Sequence, residues 1–136
     1  MLNWLLEFFT EFCPIQFTSI SFFTRDVPRL RAFYEAVFNT KAEGDDTHSS
    51  LRAGGVGIVI ASVDLPQIAP AFHFVSAQSS NNTVVSFGVG DVDAEFERLL
   101  ALGAEMLNPP TTHSWGARSF QFKDPDGNIL NFHSIY

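Results

Sequence analysis

Four histidines, one cysteine and a Trp115–Arg118 pair are the side chains in this sequence whose chemistry could reach beyond packing. His48, His113 and His133 each carry an imidazole that could ligate a metal or hold a hydrogen bond. His73 lies beside a polar stretch. Trp115 could stack on a flat ring, and Arg118, three residues on, could meet a carbonyl or an acid. Asn131 and His133 alternate along one apolar-rich run, so they share a face if that run is a strand. Cys13 precedes Pro14 and has no neighbour that would activate its thiol. The carboxylates are ordinary by position: Asp26 and Asp91 open helical patterns, and Asp124 and Asp126 sit in a turn. No nucleophile elbow, Ser-x-x-Lys, phosphate-cradling loop or Cys-x-x-Cys pair occurs. The Gly54-Gly55-x-Gly57 run lacks the following helix that a dinucleotide site requires, and reads as a hairpin.

These groups must be carried by elements that the patterning makes plain. Residues 17–24 are apolar and β-prone. Asp26 then caps a helix with Pro28 just inside it, and Leu30, Phe33, Tyr34, Val37 and Phe38 give the apolar face. That helix ends near Asn39, and short strands are expected at 41–43, 48–53 and 56–62. The scheme then repeats. A strand at 83–89 leads to a helix capped by Asp91, with Val92, Phe96, Leu99 and Leu100 on its apolar side and Gly103 at its end. Strands follow at 105–107, 118–123 and 129–134, the last two joined by the Asp124–Asn128 turn. A shift of 65 positions lays Ser21-Phe22 on Ser86-Phe87, Asp26-Val27 on Asp91-Val92 and Thr47-His48-Ser49 on Thr112-His113-Ser114. With the gap moved, Ile58-Val59-Ile60 falls on Ile129-Leu130-Asn131. The division is an amphipathic helix at 1–13, a first βαβββ module at 15–63, a linker at 64–82 and a second module at 83–136.

Composition narrows the function classes. The chain has 136 residues, 46% of them hydrophobic, and a formal charge of −7 with only 8 Lys and Arg, which argues against a nucleic-acid surface. One cysteine allows no internal disulfide, so a cytoplasmic setting is expected. The opening run stops at Cys13-Pro14, short of the roughly 20 apolar residues of a spanning helix, and its polar stripe carries Glu7 and Glu11 rather than basic residues. It reads as a helix packing on the domain or across a dimer. Fifteen Phe imply either a large aromatic core or a ring-lined cavity. Phe120 and Phe122 alternate with Gln121, so one of these two sets lines any cavity, and the pattern alone does not say which.

The segments 25–38, 91–104 and, above all, Trp115-Gly116-x-Arg118 through Asp124-Pro125-Asp126-Gly127-Asn128 resemble the vicinal-oxygen-chelate superfamily. That group includes glyoxalase I, extradiol dioxygenases and the bleomycin- and fosfomycin-resistance proteins. The resemblance spans about residues 17–135. It implies an α+β fold of two βαβββ modules whose curled mixed sheets form a cup, commonly across a homodimer. It also implies a divalent-metal site in the enzymes of the family. Carried over residue by residue, the ligand positions are Ser19, Ile60, Val84 and Asn131, and none is His or Glu. Hydrocarbon at Ile60 and Val84 would strip water from an ion without replacing it, so no cofactor is expected. A substitute site from His48, His113 and His133 has no carboxylate placed by any motif.

The expected function is a metal-independent, drug-sequestering type of protein. It would hold a small planar or aromatic molecule in a dimeric cup through Trp115, His113, Arg118, Asn131 and His133. In the alternative reading, Arg118 pairs with Asp124 or Asp126 and Trp115 plugs the barrel edge. Two other functions compete: a lyase, isomerase or dioxygenase with a displaced metal site, and a non-catalytic dimeric scaffold using the N-terminal helix. Neither nucleic acid nor a transmembrane segment enters any of the three.

Overall fold

The computed structural model describes residues 14–64 and 82–134. The expected helix at 1–13 and nearly all of the expected linker lie outside them. In chain order the elements are β1 (Ser19–Thr24), α1 (Val27–Phe38), β2 (Glu43–Gly44), β3 (His48–Ala53) and β4 (Val56–Ser62). After the linker come β5 (Val84–Val89), α2 (Val92–Ala101), β6 (Glu105–Met106), β7 (Thr111–Thr112), β8 (Arg118–Lys123) and β9 (Ile129–Ser134). The short β2 and β6 depart from the expected bounds by a residue or two, and β7, which pairs with β8, was not expected.

Both helices start as their caps dictate. The Asp26 carboxylate accepts a hydrogen bond from the Arg29 amide, and Asp91 accepts one from the Ala94 amide. Each satisfies one of the orphan donors of a first turn. Helix α1 stops at Asn39, whose φ of 48° and ψ of 47° turn the chain left-handed. At Gly44, where φ is 113°, a Cβ would collide with the His48 carbonyl, so the tight entry into β3 requires glycine.

The strands form two mixed sheets, ordered β1-β4-β3-β2 and β5-β9-β8-β6. In each, the first strand runs parallel to the last and the others are antiparallel. Neither sheet is strongly curled, a departure from the expected cup. One face of each sheet packs toward the helices. Phe22, Ile58, Ile60 and Leu51 turn inward from the first sheet, and Phe120, Phe122, Leu130 and Phe132 from the second. With Leu30, Tyr34, Val37, Val92 and Leu99 they make one core shared by both modules. Each fully buried side chain of this size contributes about 1.5–3 kcal/mol. The described rings therefore mostly fill the core: Phe38 meets Phe87 at 4.8 Å, and Phe122 meets Phe132 at 5.1 Å. No helix among the described residues is long and apolar enough to cross a membrane.

Register corrects the internal alignment. Ser21 lies opposite Val59, whereas its repeat mate Ser86 lies opposite Asn131. Val59, not Ile60, is thus the counterpart of Asn131. Ile60 is completely buried among core residues, on the face away from solvent. A one-residue slip in a strand moves every side chain to the other face, and the expected site position at Ile60 fails for that reason.

Candidate functional site

The solvent face of the second sheet carries a row of polar side chains across three strands. Ser86 on β5 lies opposite Asn131 on β9, and Asn131 lies opposite Gln121 on β8. Gln121 Nε2 donates to Asn131 Oδ1 at 2.7 Å, and Asn131 Nδ2 donates to Ser86 Oγ at 3.1 Å. Asn108 extends the row, donating from Nδ2 to Gln121 Oε1 at 2.6 Å. One pleat further along, Gly88, His133 and Ser119 form the next row.

A ring stack stands beside this floor. The loop between β7 and β8 is closed by backbone hydrogen bonds from His113 to Ala117 and from Gly116 to His113. Gly116 takes a φ of 96° there, a left-handed turn that glycine adopts without strain. The loop sets the His113 and Trp115 rings parallel, 4.4 Å apart with an interplanar angle of 4°. His113 Nε2 is 2.8 Å from Ser119 Oγ, which fastens the stack to the sheet. Trp115 nevertheless remains 72% exposed. Together Val84, His113, Trp115, Ala117, Ser119, Gln121, Asn131 and His133 line a shallow cavity of about 560 Å³. Its described lining comes from the second module alone.

Four of the five expected ligand residues therefore meet in one place: Trp115, His113, Asn131 and His133. Arg118 does not join them. It shares strand parity with Phe120 and points to the helix side, where Nε donates to Asp93 Oδ2 at 2.9 Å and Nη2 to Asp93 Oδ1 at 2.7 Å. This paired grip holds the Asp93 carboxyl below the usual carboxylate range. Arg118 Nη1 also donates to Thr112. Its partner is thus on α2, not at Asp124 or Asp126, the alternatives the sequence suggested. Asp124 is instead buried in its own turn and accepts from the Asp126 and Asn128 amides.

Sequence reading missed Ser119 as a floor residue and left Gln121 as one of two alternatives. The alternation with Phe120 and Phe122 contained the signal, because an amphipathic helix packed on one face draws the rings to that side. The choice that the sequence left open is thereby decided: the phenylalanine rings of β8 fill the core, and the cavity is lined by amides, a hydroxyl and imidazole beside Val84, Trp115 and Ala117.

The metal positions implied by the family do not fit an ion. Ser19 and Asn131 offer a hydroxyl and an amide, Val84 offers hydrocarbon and is half exposed, and Ile60 is in the core. The substitute set is also not brought together. His48 lies in the first sheet opposite Ala61, and by register its counterpart is Ser119, whereas His113 reaches Ser119 from a loop. Among the described residues no group of three or more His, Cys, Asp or Glu could hold a metal ion.

Paired βαβββ units, each with a helix on one face of a mixed sheet and an open opposite face, define the class of fold. The family model described as glyoxalase/bleomycin resistance protein/dioxygenase superfamily matches residues 16–132. The chain belongs to this superfamily, as the vicinal-oxygen-chelate resemblance implied. Among solved structures, a glyoxalase/bleomycin resistance protein/dioxygenase family enzyme from Burkholderia phytofirmans superposes with a TM-score of 0.76. It is 20% identical, over 88% of this chain and 98% of that one. A protein of the same description from Nocardioides gives 0.76 at 21% identity, over 97% and 92%. The fosfomycin resistance protein FosX from Mesorhizobium loti gives 0.64 at 21% identity, over 91% and 94%. No functionally curated protein sequence matches the chain.

Proposed function

We propose that this protein binds a small planar or aromatic molecule without a metal, on the open face of its second sheet, and that a second copy of the chain completes the pocket. The observation that carries this reading is Trp115: 72% exposed, yet held flat against His113 at the edge of a polar-floored cavity. An indole left open to water offers a ring face whose desolvation favours a flat partner. Metal independence is supported by the chemistry at the family's ligand positions, where hydrocarbon and neutral oxygens stand in place of His and Glu. A binding role of the drug-sequestering type follows more naturally from such a floor than catalysis, since nothing on it activates a nucleophile. Completion by a second copy is supported by the half-exposed Val84 and by a described lining drawn from one module. The scaffold alternative rests on residues 1–13, outside the described chain.

Trp115 fluorescence tests the reading. In a Trp4→Phe background, at least one of quinoline, acridine and 2,4′-bithiazole, all flat heteroaromatics, quenches saturably, while the small non-planar anion fosfomycin does not. Trp115→Ala weakens the binding of that ring, followed by calorimetry, by about 1–3 kcal/mol. If none of the three binds, or if the alanine variant binds equally well, the proposal fails.

A further inference from the structure

The two rings beside the cavity are not held equally. His113 is fixed at three points. Its amide donates to the Ala117 carbonyl at 2.8 Å, its carbonyl accepts from the Gly116 amide at 2.9 Å, and its Nε2 lies 2.8 Å from Ser119 Oγ. Ser119 is buried and sits within the sheet, opposite His133. The imidazole is therefore tied to a paired strand. Trp115 projects from the open part of the loop, and among the described residues the contact that fixes its plane is the His113 ring. Without that ring, an exposed indole turns about its side-chain torsions on the picosecond-to-nanosecond scale.

The same geometry separates what each ring can touch. Parallel rings with centroids 4.4 Å apart are already in contact, so no third ring fits between them. A flat ligand that stacks on Trp115 must take the opposite face of the indole. Its ring would then stand roughly 8 Å from the imidazole, with the indole in between. The imidazole has spent one face on the indole and Nε2 on Ser119.

From this we infer that His113 is a positioning residue that acts through Trp115. Anchored by Ser119, it holds the indole in the plane that a flat ligand needs, and so removes an ordering cost that binding would otherwise meet. The inference rests on the planar-ligand reading above, which says only that a flat ring stacks on Trp115.

Time-resolved fluorescence anisotropy of Trp115, in the Trp4→Phe background and without ligand, tests the hold directly. The parent is expected to depolarise with the tumbling of the whole protein. His113→Ala should gain a subnanosecond component, and Ser119→Ala, which keeps the imidazole but frees it, a smaller one. Calorimetry with quinoline, acridine and 2,4′-bithiazole tests the link to binding. His113→Ala should bind the ring that the parent binds about three- to tenfold more weakly, the cost of ordering one side chain. In a Trp115→Ala background the same substitution should cost less than about twofold, because the ring that it positions is gone. A decay unchanged in His113→Ala would overturn the inference. An equal loss of affinity in both backgrounds would also overturn it, by making His113 a direct ligand contact. Failure of all three rings to bind, with the fast component still appearing in His113→Ala, would overturn the planar-ligand reading and leave the hold on the indole standing.

Discussion

The phenol of Tyr34 on α1 donates a 2.6 Å hydrogen bond to Oδ2 of Asp124, 90 residues further along the chain in the turn between β8 and β9. Tyr34 has no solvent exposure and Asp124 is 3% exposed, so this bond joins the two modules inside the shared core. Asp124 is held at the same time by the Asn128 side chain and by two backbone amides of its own turn. A carboxylate buried with four donors is tolerable because each of them offsets part of its lost hydration. The turn that the sequence marked with Pro125 and Gly127 is therefore also the point where the first module grips the second.

Removing the phenol hydroxyl should loosen that grip. Tyr34→Phe keeps the ring and its stacking against Phe22 at 5.3 Å, but leaves Asp124 one donor short. A loss of about 1–3 kcal/mol is expected. It would be read as a lower urea midpoint at unchanged slope, and an unaltered midpoint would mean that the bond contributes nothing net.

Alkali should act through the same hydroxyl. Burial, and then the Asp124 charge, raise the Tyr34 pKa well above its ordinary value of 10.0. The folded protein retains a proton that the unfolded chain releases. The associated stability is fully present below about pH 10 and is lost as pH climbs toward the higher folded value. Urea midpoints measured between pH 8 and about pH 11 should fall more steeply for the wild type than for Tyr34→Phe. Parallel curves would contradict this.

Arg118 should prove irrelevant to ligand. Its guanidinium is bound to Asp93 on the helix side of β8, with the sheet between it and the Trp115 cavity. Arg118→Ala should leave the affinity for whichever flat probe the wild type binds within about twofold, a change of roughly 0.4 kcal/mol. A tenfold loss in calorimetry would return this residue to the site.

Divalent ions should not stabilise the protein. An ion bound at a hundred times its Kd would add about 2.7 kcal/mol, enough to raise the melting temperature by several degrees. Thermal scans with excess Zn²⁺, Ni²⁺ or Mn²⁺ should show no such rise, and elemental analysis of natively purified protein should find no stoichiometric metal. A rise with any one of them, together with stoichiometric loading, would support the displaced-metal enzyme instead.

Much of the architecture was readable along the chain because it depends on neighbours in sequence. Asp26 and Asp91 cap helices by bonding amides three residues away. The bounds of β3, β4, β8 and β9 follow from alternation interrupted by Gly54-Gly55 and by the Asp124–Asn128 turn. Even the gathering of Asn131, His133, His113 and Trp115 could be anticipated, since parity and the family pattern both point to one face. Ile60, Arg118 and Gln121 were not legible in this way. Whether Ile60 or Val59 matches Asn131 depends on which residues of β1 and β5 lie opposite them. Whether Arg118 meets Asp93 or Asp124 depends on where α2 lies over β8.

Local hydrogen bonds and periodic hydrophobicity thus determined two repeated modules and most of their elements from the sequence by itself. Only the tertiary structure decided which face of β8 is wet. Phe120 and Phe122 on one side and Gln121 on the other are equally good strand residues until a helix covers one surface. Burying the two rings there removes hydrocarbon from water, while the amide keeps its partners on the face that stays open.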